Sequence, residues 1–351
     1  MSEARAGTPV LLGDVGGTKT LLALGTVTRG RVQLQEATVA RLSSTAYPHL
    51  RELVAAYLAA HPEPRPHLVA LGVPGPVVAG YCRTTNLPWE LEERDLAAAW
   101  GVKRVLLLND LEALGWAFSA APYPATRVLR EGKTIAAAPK LVIAVGTGLG
   151  AAVAIPAPGG PVVLATEAGH MDFAATTAED WALARFLRAS EDPLSYEHLV
   201  SGPGLARLYR YYASDNEDEE FRAAPDPGAW VVARAQADPA CRQAVTTCIR
   251  ILGVFAGNIA LATLPLAGVF FSGSVALALS PRLAAPEFFA AFERKSQQRQ
   301  LLANVPLYLV ADPLAPLLGC ARALAPRTGE GATEGQRSPG TYHRCFPRRG
   351  R

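Results

Sequence analysis

The chain has 351 residues, half of them hydrophobic, a length and composition that suit two domains or two lobes of one fold with sizeable cores. Its net charge of +3 is uneven: Pro326 to Arg351 holds six Arg and two Glu, leaving 28 basic against 29 acidic groups elsewhere, and the body shows no sign of the basic patch with aromatics that nucleic-acid binding needs. No signal peptide is expected and no uninterrupted apolar run of about 18 residues suggests a membrane span, while five cysteines, odd in number and without C-x-x-C, fit a reduced cytoplasm and give no zinc pattern.

The first chemical signal is "GDVGGTKT", Gly13 to Thr20, after the apolar run "PVLL". It nearly matches the P-loop G-x-x-x-x-G-K-[ST], but Thr18 stands where the last glycine belongs. A P-loop opens a helix. Here the chain continues through "LLALGTVTRGRVQLQEATVA", which reads as strand, a turn at Thr28-Arg29-Gly30, and strand. The glycines therefore belong to a hairpin in a meander. Asp14 also argues against a P-loop, because a carboxylate facing phosphate needs a cation between them. The loop points to phosphate and Mg2+, or else to an ordinary glycine-rich turn.

Apolar spacing next predicts a helix in "YPHLRELVAAYLAAH". "HLVALGVPGPV" is a buried strand ended by Pro74-Gly75-Pro76, and "RTTNLPWEL" a loop into the short helix "ERDLAAAWG". "VKRVLLLND" is a buried strand ending at Asn109-Asp110, followed by the helix "LEALGWAFSA". A loop is expected from Ala120 to about Pro139. "KLVIAVGTGLGAAVAIPAPGGPVVLATEAGHMDFA" then gives three strands, with Gly146 to Gly150 in the first turn. Gly146, Gly148 and Ala151 satisfy G-x-G-x-x-G/A, but "AAVAIPAPGGP" cannot supply the helix of a dinucleotide site. Helices follow at Ala178 to Arg188, from near Gly202, and from Pro239 to Leu264, with "DNEDEE" (Asp215 to Glu220) as a solvated loop. "AGVFFSGSVAL" reads as strand, glycine turn and helix start. "PEFFAAFERK", "VPLYLVAD" and "PLLGCARAL" close the chain as helix, strand and helix. A meander followed by alternating strands and helices thus occurs twice, each time with a glycine turn between its first two strands.

Together, "GDVGGTKT", "LLND", "GTGLG", "TEAGHMDF", "SYEHLVSGPGL" and "FSGS" resemble the bacterial glucokinases from about Val10 to Leu324. The resemblance implies an α/β fold of the two-lobed actin-like ATPase (ribonuclease H-like) type, with a duplicated meander plus α/β architecture. Residues 8–120 with 311–326 would form a small lobe and 121–310 a large one, with a disordered tail at 327–351. It implies a cytoplasmic, homodimeric kinase of glycolysis that moves the γ-phosphoryl group of ATP to the 6-hydroxyl of glucose. A kinase for another hexose or an N-acetylated amino sugar, or a non-catalytic sugar sensor, remains open at this point.

By the same resemblance Asp110 is the general base. As a strand-end residue before a helix it could equally be an N-cap. Asn109, Glu167, His170, Glu197 and Asn86 match the family's sugar contacts, alongside Asp110. Gly13, Asp14, Val15, Gly16, Gly17 and Thr18 would hold the nucleotide phosphates, as would Gly146, Thr147 and Gly148, with Gly273 against the adenosine. Asp14 would hold Mg2+ through water. Two positions depart from the pattern: Lys19 stands where this branch often has Asn, and Ser274 where it often has a second glycine.

Overall fold

The computed structural model describes residues 7–28, 31–85, 87–189, 191–214 and 217–324. Asn86, the expected Arg29-Gly30 turn and the 327–351 tail lie outside the described residues. The chain divides into two compact units. One comprises residues through Pro124, Ala157–Val163 and the chain from Pro313; the other comprises Ala125–Pro156 and Leu164–Asp312.

The strands of the first unit are β1 (Thr8–Val15), β2 (Lys19–Thr28), β3 (Arg31–Leu34), β4 (Ala40–Ser43), β5 (Leu68–Val73), β6 (Val77–Val78), β7 (Tyr81–Arg83), β8 (Glu90–Glu92) and β9 (Arg104–Asn109). The main sheet runs β3-β2-β1-β5-β9, with β4 also on β2, and β6-β7-β8 form a small separate sheet. β1 and β2 are antiparallel, whereas β1, β5 and β9 are parallel. Both faces of this sheet are covered, so its strands are apolar throughout. Leu11, Leu22, Leu71 and Leu107 pack with Leu53, Val54 and Tyr57 of the Leu50–Ala60 helix. Val10, Leu12, Ala70 and Leu108, one residue out of phase, pack on the other face with Ala113, Trp116, Leu317 and Cys320. The last four belong to the Asp110–Ala117 and Ala315–Ala323 helices.

The other main sheet comprises β10 (Thr126–Arg130), β11 (Lys140–Val145), β12 (Leu149–Ile155), β13 (Val162–Thr166), β14 (Gly268–Ser272) and β15 (Leu307–Val310), in order β10-β15-β14-β11-β12-β13, and all but the first two residues of β13 belong to the second unit. β11 pairs antiparallel with β12 and parallel with β14, and β14 parallel with β15. This repeats the scheme of β1 with β2, β5 and β9, so the duplication read from the sequence is a duplication of sheet topology. The core of this unit is one cluster centred on Phe255, Phe271, Phe288, Phe292 and Tyr196. The Pro239–Thr263 helix is long and apolar enough to cross a membrane by length and composition, but 78% of its most apolar window is buried in this core.

Two sequence expectations change. The loop expected from Ala120 to Pro139 contains β10, which pairs with β15 across some 180 positions of sequence. Leu129 is its one buried residue, too little apolar alternation to announce a strand. Arg130 fixes this edge: it pairs with Glu293 at 2.6 Å and donates to Leu302 O and Val305 O, both at 2.8 Å. In the second change, the acidic stretch after residue 216 starts a short helix, Glu219–Ala223, capped by the Asp218 side chain.

The Asp110–Ala117 and Ala315–Ala323 helices meet without a side chain between them at one point. A Cβ on Gly319 would lie 1.6 Å from Ala113 O. Gly319→Ala therefore forces the two helices apart and is expected to cost about 3 kcal/mol, the upper range for overpacking. Urea and thermal unfolding measure this; a melting temperature equal to the parent's would contradict the packing described.

Candidate active site

The first unit brings two carboxylates together at the ends of apolar rows on one sheet face. Asp14 follows Val10 and Leu12, and Asp110 follows Leu106 and Leu108. Between them runs β5, whose Gly72 is in register with Asp14 and with Leu108. A Cβ at Gly72 would lie 3.6 Å from Asp110 Cα and 3.9 Å from Asp14 Oδ1, so the glycine leaves the gap between them open. Burial, and then the charge of Asp110, push the Asp14 carboxyl up to about 7. Behind the pair, burial and the Asp110 charge push the Cys82 thiol up to about 11. Burial and the Asp14 charge likewise push Cys320 up, and its Sγ reaches Gly13 O at 3.4 Å. Both cysteines are protonated spectators.

Asn109, not Asp110, caps the helix. Its Oδ1 accepts from Leu111 N and Glu112 N at 3.0 and 3.3 Å, and its Nδ2 donates to Gly75 O at 3.2 Å. That uses the amide oxygen fully and leaves Asn109 one N–H. Asp110 is the first helical residue, with Oδ1 accepting from Leu111 N at 2.8 Å. The β1–β2 connection carries Gly16, Gly17 and Thr18 as a true hairpin turn, with Gly16 N donating to Lys19 O at 2.9 Å. The Lys19 side chain is exposed.

The second unit assembles the other expected residues. The β11–β12 turn is Gly146 to Gly148, shorter than expected because Leu149 already pairs with Val145. Glu197 joins this turn to the "EAGH" segment: its Oε2 accepts from Leu149 N at 2.8 Å while its own N–H donates to Gly169 O at 2.9 Å. Glu167 and His170 are exposed on that segment, with carboxylate and ring 3.9 Å apart. Ser201 Oγ donates to Glu197 O at 2.8 Å and caps the Gly202–Ala213 helix, whose Gly202 N–H reaches Gly146 O at 2.8 Å. Gly273 has φ +95° and a Cβ there would be 2.3 Å from Val145 O, so only glycine fits between β14 and the Ser274–Ala278 helix.

Sequence reasoning missed the supports. The His198 ring accepts from Ser195 N at 3.1 Å through Nδ1, so Nε2 carries the proton towards Glu191, 3.4 Å away. The Tyr196 hydroxyl is held by Asn258, which Lys295 holds in turn at 2.6 Å. The Tyr196–Asn258 and Asn258–Lys295 bonds join residues 62 and 37 positions apart along the chain, beyond any local pattern.

Two duplicated α/β units, each presenting a glycine turn, with a carboxylate pair at parallel strand ends in the first, define a sugar kinase of the actin-like ATPase class. The chain belongs to the glucokinase family, whose model matches residues 11–327. It is 32% identical over 330 residues to the glucokinase of Cupriavidus pinatubonensis, covering 92% of this chain and 94% of that protein. It is 34% identical to the glucokinase of Chromobacterium violaceum, covering 90% and 89%. The crystal structure of a glucokinase from an Antarctic psychrotroph superposes with a TM-score of 0.75 at 28% identity, over 90% of this chain and 98% of that one.

The carboxylate pair carries a stability cost that depends on pH. The unfolded Asp14 carboxyl titrates near 3.8 and the folded one near 7, so between these values the folded protein holds the extra proton. Stability therefore falls as pH rises through that window, and the penalty is complete above it. Asp14→Asn is expected to stabilise the nucleotide-free protein by roughly 2–4 kcal/mol above neutrality and by little near pH 4. Unfolding free energies of both proteins from pH 4 to 9 test this; a constant difference would refute it.

Proposed function

We propose how the residues divide the glucokinase reaction of this chain, transfer of the γ-phosphoryl group of ATP to the 6-hydroxyl of glucose. The observation that carries the reading is the Asp14–Asp110 pair at the ends of β1 and β9, on either side of β5, with the Asp110 charge raising the Asp14 carboxyl. Asp110 takes the proton of the sugar hydroxyl as phosphoryl transfer proceeds. Asn109, with its remaining N–H, and Glu197, Glu167 and His170 bind the hydroxyls of glucose. A hexose presents donors and acceptors together, which suits carboxylates and a histidine. Glu197 has one oxygen on Leu149 N and offers the other to the sugar.

The backbone N–H groups that follow Gly16 in the first turn hold phosphate, and those of Thr147 and Gly148 do so in the second unit, because the Gly16 and Gly146 N–H groups are already given to Lys19 O and Gly148 O. Gly273 lets the adenosine approach the backbone. Mg2+ suits the first turn, where the Asp14 carboxylate lies beside that of Asp110. When bound it neutralises phosphate charge beside Asp14. A homodimer in the cytoplasm belongs to the same proposal, and the four buried, unpaired cysteines among the described residues support a reducing compartment.

Asp110→Asn is expected to lower kcat by about 10²- to 10⁴-fold, the usual worth of a general base, with a smaller change in glucose affinity. Turnover within a few-fold of the parent would remove Asp110 from the base's role. The second test separates metal from lysine. Because the Lys19 side chain is exposed and its backbone survives substitution, Lys19→Ala should cost less turnover than Asp14→Ala. Raising Mg2+ should ease only the Asp14 defect. Turnover measured across a Mg2+ series decides; a dead Lys19→Ala beside a mild, Mg2+-indifferent Asp14→Ala would reinstate a P-loop lysine.

A further inference from the structure

Ser44 lies directly after β4, 28 positions from Gly16, and is fully buried. Its Oγ donates to Gly16 O at 2.7 Å and its backbone N–H donates to Thr18 O at 2.9 Å. The hydroxyl has one proton, already given to Gly16, so the 2.9 Å contact with Thr20 Oγ1 runs from Thr20 to Ser44. Thr20 is also fully buried. A chain of donation, Thr20 to Ser44 to Gly16 O, therefore reaches the turn from its inner side, and each bond polarises the next.

The consequence lies in the bond that this arrangement displaces. In a closed two-residue hairpin the Gly16–Lys19 pair makes both of its hydrogen bonds. Here Gly16 N donates to Lys19 O, while among the described residues the reciprocal bond from Lys19 N to Gly16 O is not made. Gly16 O is on Ser44 instead. Peptide planarity then fixes the opposite ends of two peptides. With Gly16 O and Thr18 O both drawn to Ser44, the N–H groups of Gly17 and Lys19 point away from it. These are the donors that an anion in the turn requires.

We infer that Ser44 is the positioning residue of the β1–β2 phosphate turn, holding the Gly16 carbonyl away so that the Lys19 N–H is kept open for nucleotide phosphate. This rests on the proposed reading of the turn as a phosphate cradle. Without the hydroxyl, Gly16 O loses its partner in a buried place and turns to the nearest donor, Lys19 N–H, which closes the hairpin and consumes the donor. The Lys19 side chain plays no part, since its N–H persists whatever residue other than proline stands there.

The test uses the full-length chain with Ser44→Ala, Thr20→Val and, as a check on the cradle itself, Gly17→Val. Calorimetric titration with ATP and Mg2+, and separately with glucose, is joined to NMR hydrogen exchange at the Lys19 amide of the nucleotide-free protein. Ser44→Ala is expected to weaken ATP about tenfold, with glucose affinity changed less than about twofold and the Lys19 amide exchanging more slowly. Thr20→Val keeps the bond from Ser44 to Gly16 and is expected to weaken ATP less; it carries the test if Ser44→Ala does not fold. Ser44→Ala with unchanged ATP affinity and unchanged Lys19 exchange overturns the inference while Gly17→Val still loses ATP. Equal losses of ATP and glucose affinity alongside a lower melting temperature overturn it too, as the mark of a purely structural serine. If Gly17→Val leaves ATP affinity intact, the cradle reading falls, and this inference with it.

Discussion

The first unit is organised around two carboxylates that repel each other. An isolated buried charge is costly, and a second like charge beside it adds to the cost. The fold holds the pair in place by extending two apolar rows, Val10–Leu12 and Leu106–Leu108, one step past the end of the covered face. Leu12 and Leu108 have helices packed over them, so the strand ends cannot yield without opening the core. Gly72 removes the one side chain that would separate the pair. The Ala315–Ala323 helix, against which both rows pack, comes from the far end of the chain. The end of this sheet that carries Asp14 and Asp110 therefore depends on a segment about two hundred to three hundred residues away in sequence.

The second unit solves a related problem without a carboxylate pair. Its β11–β12 turn also has the carbonyl of its first glycine drawn backwards, in this case by Gly202 N at the start of a helix. In the first turn a serine side chain performs that task. The duplicated topology thus preserves a geometric requirement, a glycine carbonyl turned inward so that the following N–H faces outward, while the group that satisfies it differs. Glu197 adds a coupling absent from the first turn. Its backbone is fastened to the "EAGH" segment and its carboxylate to Leu149, so movement of one is felt by the other.

The sequence made the skeleton legible where one strand carries its own evidence. Buried strands ending in Asp14 and in Asn109-Asp110 stood out because apolar runs stop abruptly at polar residues. The missing helix after each glycine turn excluded both nucleotide fingerprints that the glycines imitate. Which of Asn109 and Asp110 caps the helix was not legible, since both residue types cap well and the difference is one residue of register. β10 was hidden because its stability comes from β15 and Arg130 rather than from its own pattern. Ser44 was invisible for the same reason. Nothing in "RLSSTAYP" distinguishes it from Ser43, and only the pairing of β4 with β2 brings one of the two against the turn.

A phosphate site made from a hairpin has to overcome a tendency that a helix N-terminus does not have. The first N–H groups of a helix lack intrahelical partners by construction and await an anion. A hairpin turn satisfies itself, because the carbonyl and N–H of its flanking pair face each other. Shortening the turn or adding glycines does not change that. The carbonyl must be given another partner, and that partner must come from a neighbouring element because the turn's own groups are committed. In this chain the neighbour is the end of β4, held beside β2 by the register of Lys19 with Ser43. In the first unit a further strand beside β2 thus supplies the partner that draws the Gly16 carbonyl away from Lys19 N–H, and in the second unit the start of the Gly202–Ala213 helix supplies it for Gly146 O.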